Sequence, residues 1–500
     1  MALVAQTQAG SVFPTSVPAA LTLSSQHLTR GVPIFRQHLE IRAEKNTYAS
    51  TTLEEIKIVV PNVGAIDPRS LALKMRVKLF TAGDANLAAY NGASAADVYC
   101  VENYIGSLFS KFELHVGSTI VEAIEHFGLW ANMQLPKLMA EEDAVSVGYM
   151  LMGMGQALPT EYAKASQTTQ DAMPSRALLS HTDVANGRTY IIPLLSSILS
   201  RDMCFPVSLL KQPVRVVLDM ASPEDCTYTN ASAGAPIYRI YDPVLMMDMI
   251  RPSKPLLTQW KKTLASGSIV WRFSQWHHFQ EEALSAKNTT VKLFHYANSV
   301  KRIMFCIRDT TATLDHDVVN KLTAYHSGGL DSFQLRVNGV KVPHNAVETT
   351  RADHAGDGGY GPGPALYHYM RSNALWPPFR GGRYNWAYSR AGKGVQATGD
   401  GSGAFMGFQS FQNPMAWDDN STESNNPEEA PPGGARVYEL SLEDHPNFAG
   451  ISGMDTANIH GSLELLLNFN SAPSNKRLDV FVESDGIFEI QPRGTIRVHR

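Results

Sequence analysis

Cysteine is scarce in this chain. Four occur in 500 residues, Cys100, Cys204, Cys226 and Cys306, and no two stand in C-x-x-C spacing. A zinc ribbon or a thioredoxin-like redox motif is thereby excluded, and buried free thiols in a reducing compartment are expected. An excess of charge is also missing. Lys and Arg total 43 against 47 Asp and Glu, for a net charge of −4. Without a basic cluster, sequence-specific nucleic-acid binding is not expected. No run approaches the ~18 consecutive apolar residues of a membrane-spanning helix. The nearest, Met- and Gly-rich residues 144–159, reads as a buried loop or subunit contact. The first residues lack the basic start and apolar core of a signal peptide, so the chain is not expected to be secreted. The N-x-S/T sequons at Asn230, Asn288 and Asn420 are then inert.

Catalytic patterns are absent too. The 16 histidines form neither H-E-x-x-H nor H-x-H. His277 and His278 are adjacent, which on a strand sends them to opposite faces and makes them poor chelators. No G-x-S-x-G elbow occurs. Gly356, Gly358 and Gly361 match G-x-G-x-x-G but do not lie between a strand and a helix, so the phosphate-binding reading fails. Gly392-Lys393-Gly394 lacks the remainder of a P-loop. No catalytic residue, metal ligand or cofactor site is assigned, and the chain is not expected to be an enzyme.

What is present is a repetition. Residues 112–121 read FELHVGSTIV and residues 333–342 read FQLRVNGVKV. Each alternates apolar and polar residues, meets a Gly turn and resumes a strand. Asn338-Gly339 predicts a type I′ hairpin, because that turn needs positive φ at both central residues. Four further strand-like runs pair in the same order: 56–59 with 291–294, 75–79 with 303–307, 214–218 with 463–467, and 238–241 with 478–481. Their separations drift by about 30 residues, as expected when loops differ and strands persist. Two similar β-domains in tandem follow.

Residues 1–35, rich in Ser, Thr, Ala and Gln, read as an N-terminal arm. The first domain spans 36–250 and includes a helical candidate at 122–135, ended by Pro136. Residues 251–267 form a linker with a short helix at 256–264, and the second domain spans 268–490. The insertion 343–436 interrupts it, with a helical candidate at 365–372, a Gly/aromatic stretch and an acidic tract from Asp418 to Glu429. Residues 491–500 form the C-terminal tail. Trp376, Phe379, Tyr384, Trp386 and Tyr388 argue for a packed insertion, since aromatic rings bury large areas.

The chain resembles the double jelly-roll major capsid proteins of double-stranded DNA viruses. Asn46-Thr47-Tyr48 with the strand 55–61 resembles the family's opening strands. The segments YIIPLL (190–195), FPVSLL (205–210) and VRVVL (214–218) resemble its most typical passage, and 437–442, 447–453 and 462–469 resemble the same passage in the second domain. The resemblance covers residues ~35–500. It implies an all-β fold with short helices in loops: two tandem eight-stranded jelly rolls standing side by side. It implies a homotrimer of pseudo-hexagonal outline, neighbouring capsomers, penton and minor capsid proteins, and assembly into an icosahedral virion in the host cytoplasm or nucleus. Insertion 343–436 and residues 122–189 would form its outer tower. Trp376, Phe379, Tyr384, Trp386 and Tyr388 then become tower or subunit contacts, and Arg493, Arg497 and Arg500 candidate tethers. An inner membrane and a host receptor remain open as partners. Two other readings stand beside this one. A carbohydrate-binding tandem β-sandwich protein would use the aromatics of 376–408 to stack on sugars, and a cupin-like metalloenzyme is opposed by the missing H-x-H.

Overall fold

The computed structural model describes residues 34–80, 99–101, 105–138, 148, 151–153, 187–199, 204–229, 236–310, 322, 329–349, 363–372, 437–443, 453–456 and 463–499, apart from Arg69, Asn338 and Arg493. Its first half comprises β1 (Ile34–Arg42), β2 (Thr47–Ala49), β3 (Glu55–Val60), β4 (Ala65–Ile66), β5 (Ala72–Phe80), β6 (Tyr99–Val101), β7 (Phe109–Val116), β8 (Thr119–Glu125), helix α1 (Phe127–Leu138), β9 (Arg188–Pro193), β10 (Val214–Met220), β11 (Thr227–Thr229) and β12 (Ile237–Pro252). Helix α2 (Lys254–Ser266) leads to the second half: β13 (Ile269–Leu284), β14 (Asn288–Leu293), β15 (Val300–Asp309), β16 (Leu330–Val337), β17 (Val340–Glu348), helix α3 (Gly363–Ser372), β18 (Tyr438–Ser441), β19 (Leu463–Phe469), β20 (Lys476–Ile490) and β21 (Ile496–His499).

Each half is a sandwich of two antiparallel sheets. In the first, β1-β12-β5-β9 packs on β3-β10-β7-β8; in the second, β13-β20-β15-β18 packs on β14-β19-β16-β17. The two orders are the same once β13 stands for β1, β14 for β3, β15 for β5, β16 for β7, β17 for β8, β18 for β9, β19 for β10 and β20 for β12. All five sequence pairings fall on strands equivalent in this sense. The fold is a double jelly roll.

Alternation explains which residues go inside. Strand β5 buries Leu73, Met75, Val77 and Leu79 and turns Lys74, Arg76 and Lys78 outward. In β7, Phe112, Leu114 and Val116 point inward. The turn to β8 starts at Gly117, with φ +64, where a Cβ would lie 1.9 Å from Gln212 Oε1. The Gln212 side chain is exposed and can swing away, so it is the positive φ that favours glycine here. The matching turn places Gly339 at φ +80. Buried Tyr238 ties the first sandwich together, its one hydroxyl proton directed to the Ala221 carbonyl at 2.6 Å with the Leu108 carbonyl 3.0 Å away. Y238F is expected to cost about 1 kcal/mol in a urea melt, because a buried carbonyl loses its donor.

Several boundaries move. Residues 122–125 are strand, not helix: Ile124 is a core residue of β8, His126 takes φ 49, and α1 begins at Phe127. Pro136 lies within α1, which runs two residues past it. The insertion does not begin at 343, because β17 continues to Glu348. Pro343 is accepted there since, among the described residues, β17 is an edge strand paired to β16 alone. A bulge between Phe333 and Leu335 frees two carbonyls, and buried Gln334 donates its side-chain amide to both, Pro343 O at 2.8 Å and His344 O at 2.9 Å. The N-terminal arm cannot reach 35, because β1 is already paired to β12 at Ile34. The tail 491–500 includes β21, which folds back on β20.

Candidate functional site

The described residues contain no group of three or more His, Cys, Asp or Glu placed to hold a metal ion. The most built feature is the seam between the sandwiches. Strand β8, helix α1 and the connection after β9 meet the outer face of the β13-β20-β15 sheet. One cluster of buried side chains runs from the first core into Trp276, Met304, Cys306, Phe481 and Phe488 of the second. Trp130 of α1 meets Trp276 edge-on at 5.7 Å, and Phe205 packs on Trp271 and Phe488. Gln134 donates to Met304 Sδ at 3.6 Å.

Polar groups fix the register of this contact. Glu122, 1 % exposed, accepts from Ser196 Oγ (2.5 Å) and Ser197 N (2.6 Å). The Ser197 hydroxyl stands between Glu122 and the Ser274 carbonyl of β13. A hydroxyl has one proton, so Ser197 Oγ donates to one of these two acceptors at a time. Burial raises the Glu122 pKa against the pull of the serine hydrogen bonds. The expected outcome is that E122Q, which copies the protonated acid, unfolds within about 1 kcal/mol of wild type, while E122A loses about 1–3 kcal/mol. Urea melts of both variants decide it.

Beside it lies a second network. Asp479 of β20, fully buried, takes Arg308 Nε (2.8 Å), His278 Nε2 (2.9 Å) and Arg477 Nη2 (3.1 Å). Burial alone would raise its pKa, but Arg308, the His278 hydrogen bond and Arg477 hold it well below the usual carboxylate range. The His278 ring lies 4.1 Å from that of His126, whose pKa falls to about 4 through desolvation and the neighbouring His278 charge. A cavity of about 270 Å³ opens here, lined by Ser107, His126, Gln280, Arg308 and Arg477 among others. His277 turns to the opposite face, where its ring lies 4.3 Å from that of His295, tilted by 44°.

Of the residues singled out from sequence, Gly339 forms its turn and Arg497 sits exposed on β21 across from Glu489. Asn338, Trp376, Phe379, Tyr384, Trp386, Tyr388, Arg493 and Arg500 lie outside the described residues. Sequence reasoning missed Glu122, His126, His278, Arg308 and Asp479. The available signal was a contrast between the repeats. The outward side of β5 reads Lys74, Arg76, Lys78, whereas that of β15 reads Arg302, Met304, Cys306, Arg308. Apolar residues on an outward face mark a covered sheet. No helix among the described residues is long and apolar enough to cross a membrane.

No family model and no curated protein matches the chain. Solved structures do. A chain of the PBCV-1 virus capsid is similar with a TM-score of 0.53 and 11 % identity, covering 94 % of this chain and 98 % of that one. The Faustovirus major capsid protein is similar at 0.52 and 11 %, covering 96 % and 95 %. A chain of the Sputnik virophage is similar at 0.52 and 8 %, covering 98 % and 94 %. At such identities the likeness establishes the double jelly-roll fold over nearly the full length.

Proposed function

We propose that this chain is the major capsid protein of an icosahedral double-stranded DNA virus, three copies forming a pseudo-hexagonal capsomer. The observation that carries the reading is the pairing of two sandwiches of one strand order at a buried seam. Such a chain offers two near-equal, rigidly spaced units, so three copies present six sides to their neighbours. Likeness to capsid chains over 94 % or more of this chain supports it. The two units, expected at 36–250 and 268–490, are taken at the bounds of their outer strands, 34–252 and 269–490, joined through α2. The β8–β9 connection beyond α1 and the β17–β18 connection form the outer tower. Arg493, Arg497 and Arg500 serve as tethers to minor or penton proteins. The role is mechanical and needs no turnover, and no described cluster of side chains calls for a sugar ligand or a metal. Light scattering with electron microscopy of the same peak tests this. A species near three times 54.8 kDa with a hexagonal outline is expected. A monomer that stays single on concentration overturns it.

A further inference from the structure

The cavity beside Asp479 has walls from both sandwiches. The first supplies Ser107, His126 and the opening turn of α1; the second supplies Gln280 of β13, Arg308 of β15 and Arg477 of β20. Its volume of about 270 Å³ far exceeds the ~30 Å³ share of one water, so it takes more than a bridging solvent molecule.

One part of the lining is cationic. Arg308 and Arg477, 5 % and 14 % exposed, share the single carboxylate of Asp479. Two guanidiniums against one buried carboxylate leave that wall with an excess of positive charge. His126 is neutral at pH 7, since burial lowers its pKa to about 4. The first turn of α1 reaches the cavity at Gly128 and Leu129 and holds no acidic residue, so the positive end of the helix dipole adds to the guanidiniums. Asp225 also lines the cavity and opposes an anion, but it is exposed, where water weakens its field. The remainder is apolar, with Phe109, Leu129 and Leu322.

We infer that this cavity binds a small organic phosphate, the phosphate on Arg308 and Arg477 beside the start of α1 and the organic part against Phe109, Leu129 and Leu322. A phosphate group brings three acceptor oxygens and nearly two negative charges, which suits two planar guanidiniums of five donors each. A carboxylate brings one charge and two oxygens, which Asp479 already supplies. The ligand touches both sandwiches, so it binds only the joined form and stabilises the seam by mass action. The site is complete within one chain and stands whether or not the chain builds a capsid.

Calorimetric titration and thermal melts of the full chain at low salt test this, with phenyl phosphate, inorganic phosphate, benzoate and phenol as probes. Phenyl phosphate is expected to bind with a Kd below about 1 mM and to raise Tm. Inorganic phosphate, which leaves the apolar wall unfilled, is expected to bind more weakly. R477Q leaves Arg308 and His278 on Asp479, so it is expected to keep its circular dichroism and to bind phenyl phosphate about tenfold more weakly. Should R477Q disturb folding, D225N reads the same cavity from an exposed position and is expected to bind about threefold more tightly. Neither heat nor a Tm shift at about 10 mM phenyl phosphate overturns the inference. Phenol or benzoate binding as tightly as phenyl phosphate overturns it too, since the cavity would then not select phosphate. So does an affinity unchanged in both R477Q and D225N, which would place the bound phosphate elsewhere.

Discussion

D479A is expected to lose about 3–5 kcal/mol of stability, the largest effect of any single substitution at the seam. The carboxylate is fully buried and is the shared partner of Arg308, Arg477 and His278. Removing it leaves two guanidiniums facing each other in a poorly solvated place, with Arg308 only 5 % exposed. The penalty comes from two guanidiniums losing the carboxylate they share, so D479A is expected to be worse than the double variant D479A/R308M. The sign of its pH dependence is separable. A carboxylate whose pKa is depressed contributes stability that is present above its unfolded value near 4 and is lost only as pH falls through the lower folded value. Asp479 therefore stays ionised through mildly acid conditions. Urea melts of wild type, D479A and D479A/R308M at neutral pH settle the matter. A loss below about 1 kcal/mol in D479A would mean that water reaches Arg308 and Arg477 once the carboxylate is gone.

The fold was legible because a jelly roll repeats a simple instruction. Period-2 alternation marks each strand, and the shared order of five matched runs marks the duplication. The topology came through because equivalent strands keep inward residues of one kind, as Met75 and Val77 do against Ile303 and Phe305. The seam was not legible for the same reason. Alternation reports which residues leave a sandwich's own core, not whether a second sandwich covers them. Asp479 and Glu122 read as ordinary outward polar positions, and only the tertiary contact makes them buried. The helical reading of 122–135 failed on a related ambiguity: Ile124, Phe127 and Trp130 fall at helical spacing by chance, one in a strand and two in a helix, with His126 in the left-handed region between them. The contrast between Arg76, Lys78 and Met304, Cys306 lies in the sequence, yet it acquires meaning only when the strands are paired.

Acidification is expected to weaken the second sandwich through His295. Its side chain is buried, packs at a tilt on His277 and meets Phe279 edge-on, and its Nε2 has no hydrogen-bond partner among the described residues. Desolvation, then the charge of His277, lowers its pKa from the ordinary 6.5 to about 4. The unfolded chain takes up this proton near 6.5 and the folded chain only near 4. Between those values the unfolded state binds more protons, so stability rises with pH and is lost as pH falls through the window. The full gap is worth about 3 kcal/mol, reached near pH 4. H295F keeps a ring against His277 and Phe279 but has nothing to protonate. It is expected to match wild type within about 1 kcal/mol at pH 7 and to flatten most of the slope between pH 6.5 and 4. The remainder belongs to His126, whose pKa is also lowered to about 4 and which acts in the same direction from the cavity at the seam. Urea melts across this range decide between the two residues. An H295F slope equal to that of wild type would place the acid sensitivity at the seam, where protonated His126 would add a cation to the surroundings of Arg308 and Arg477. The sandwiches would then part before either core unfolds.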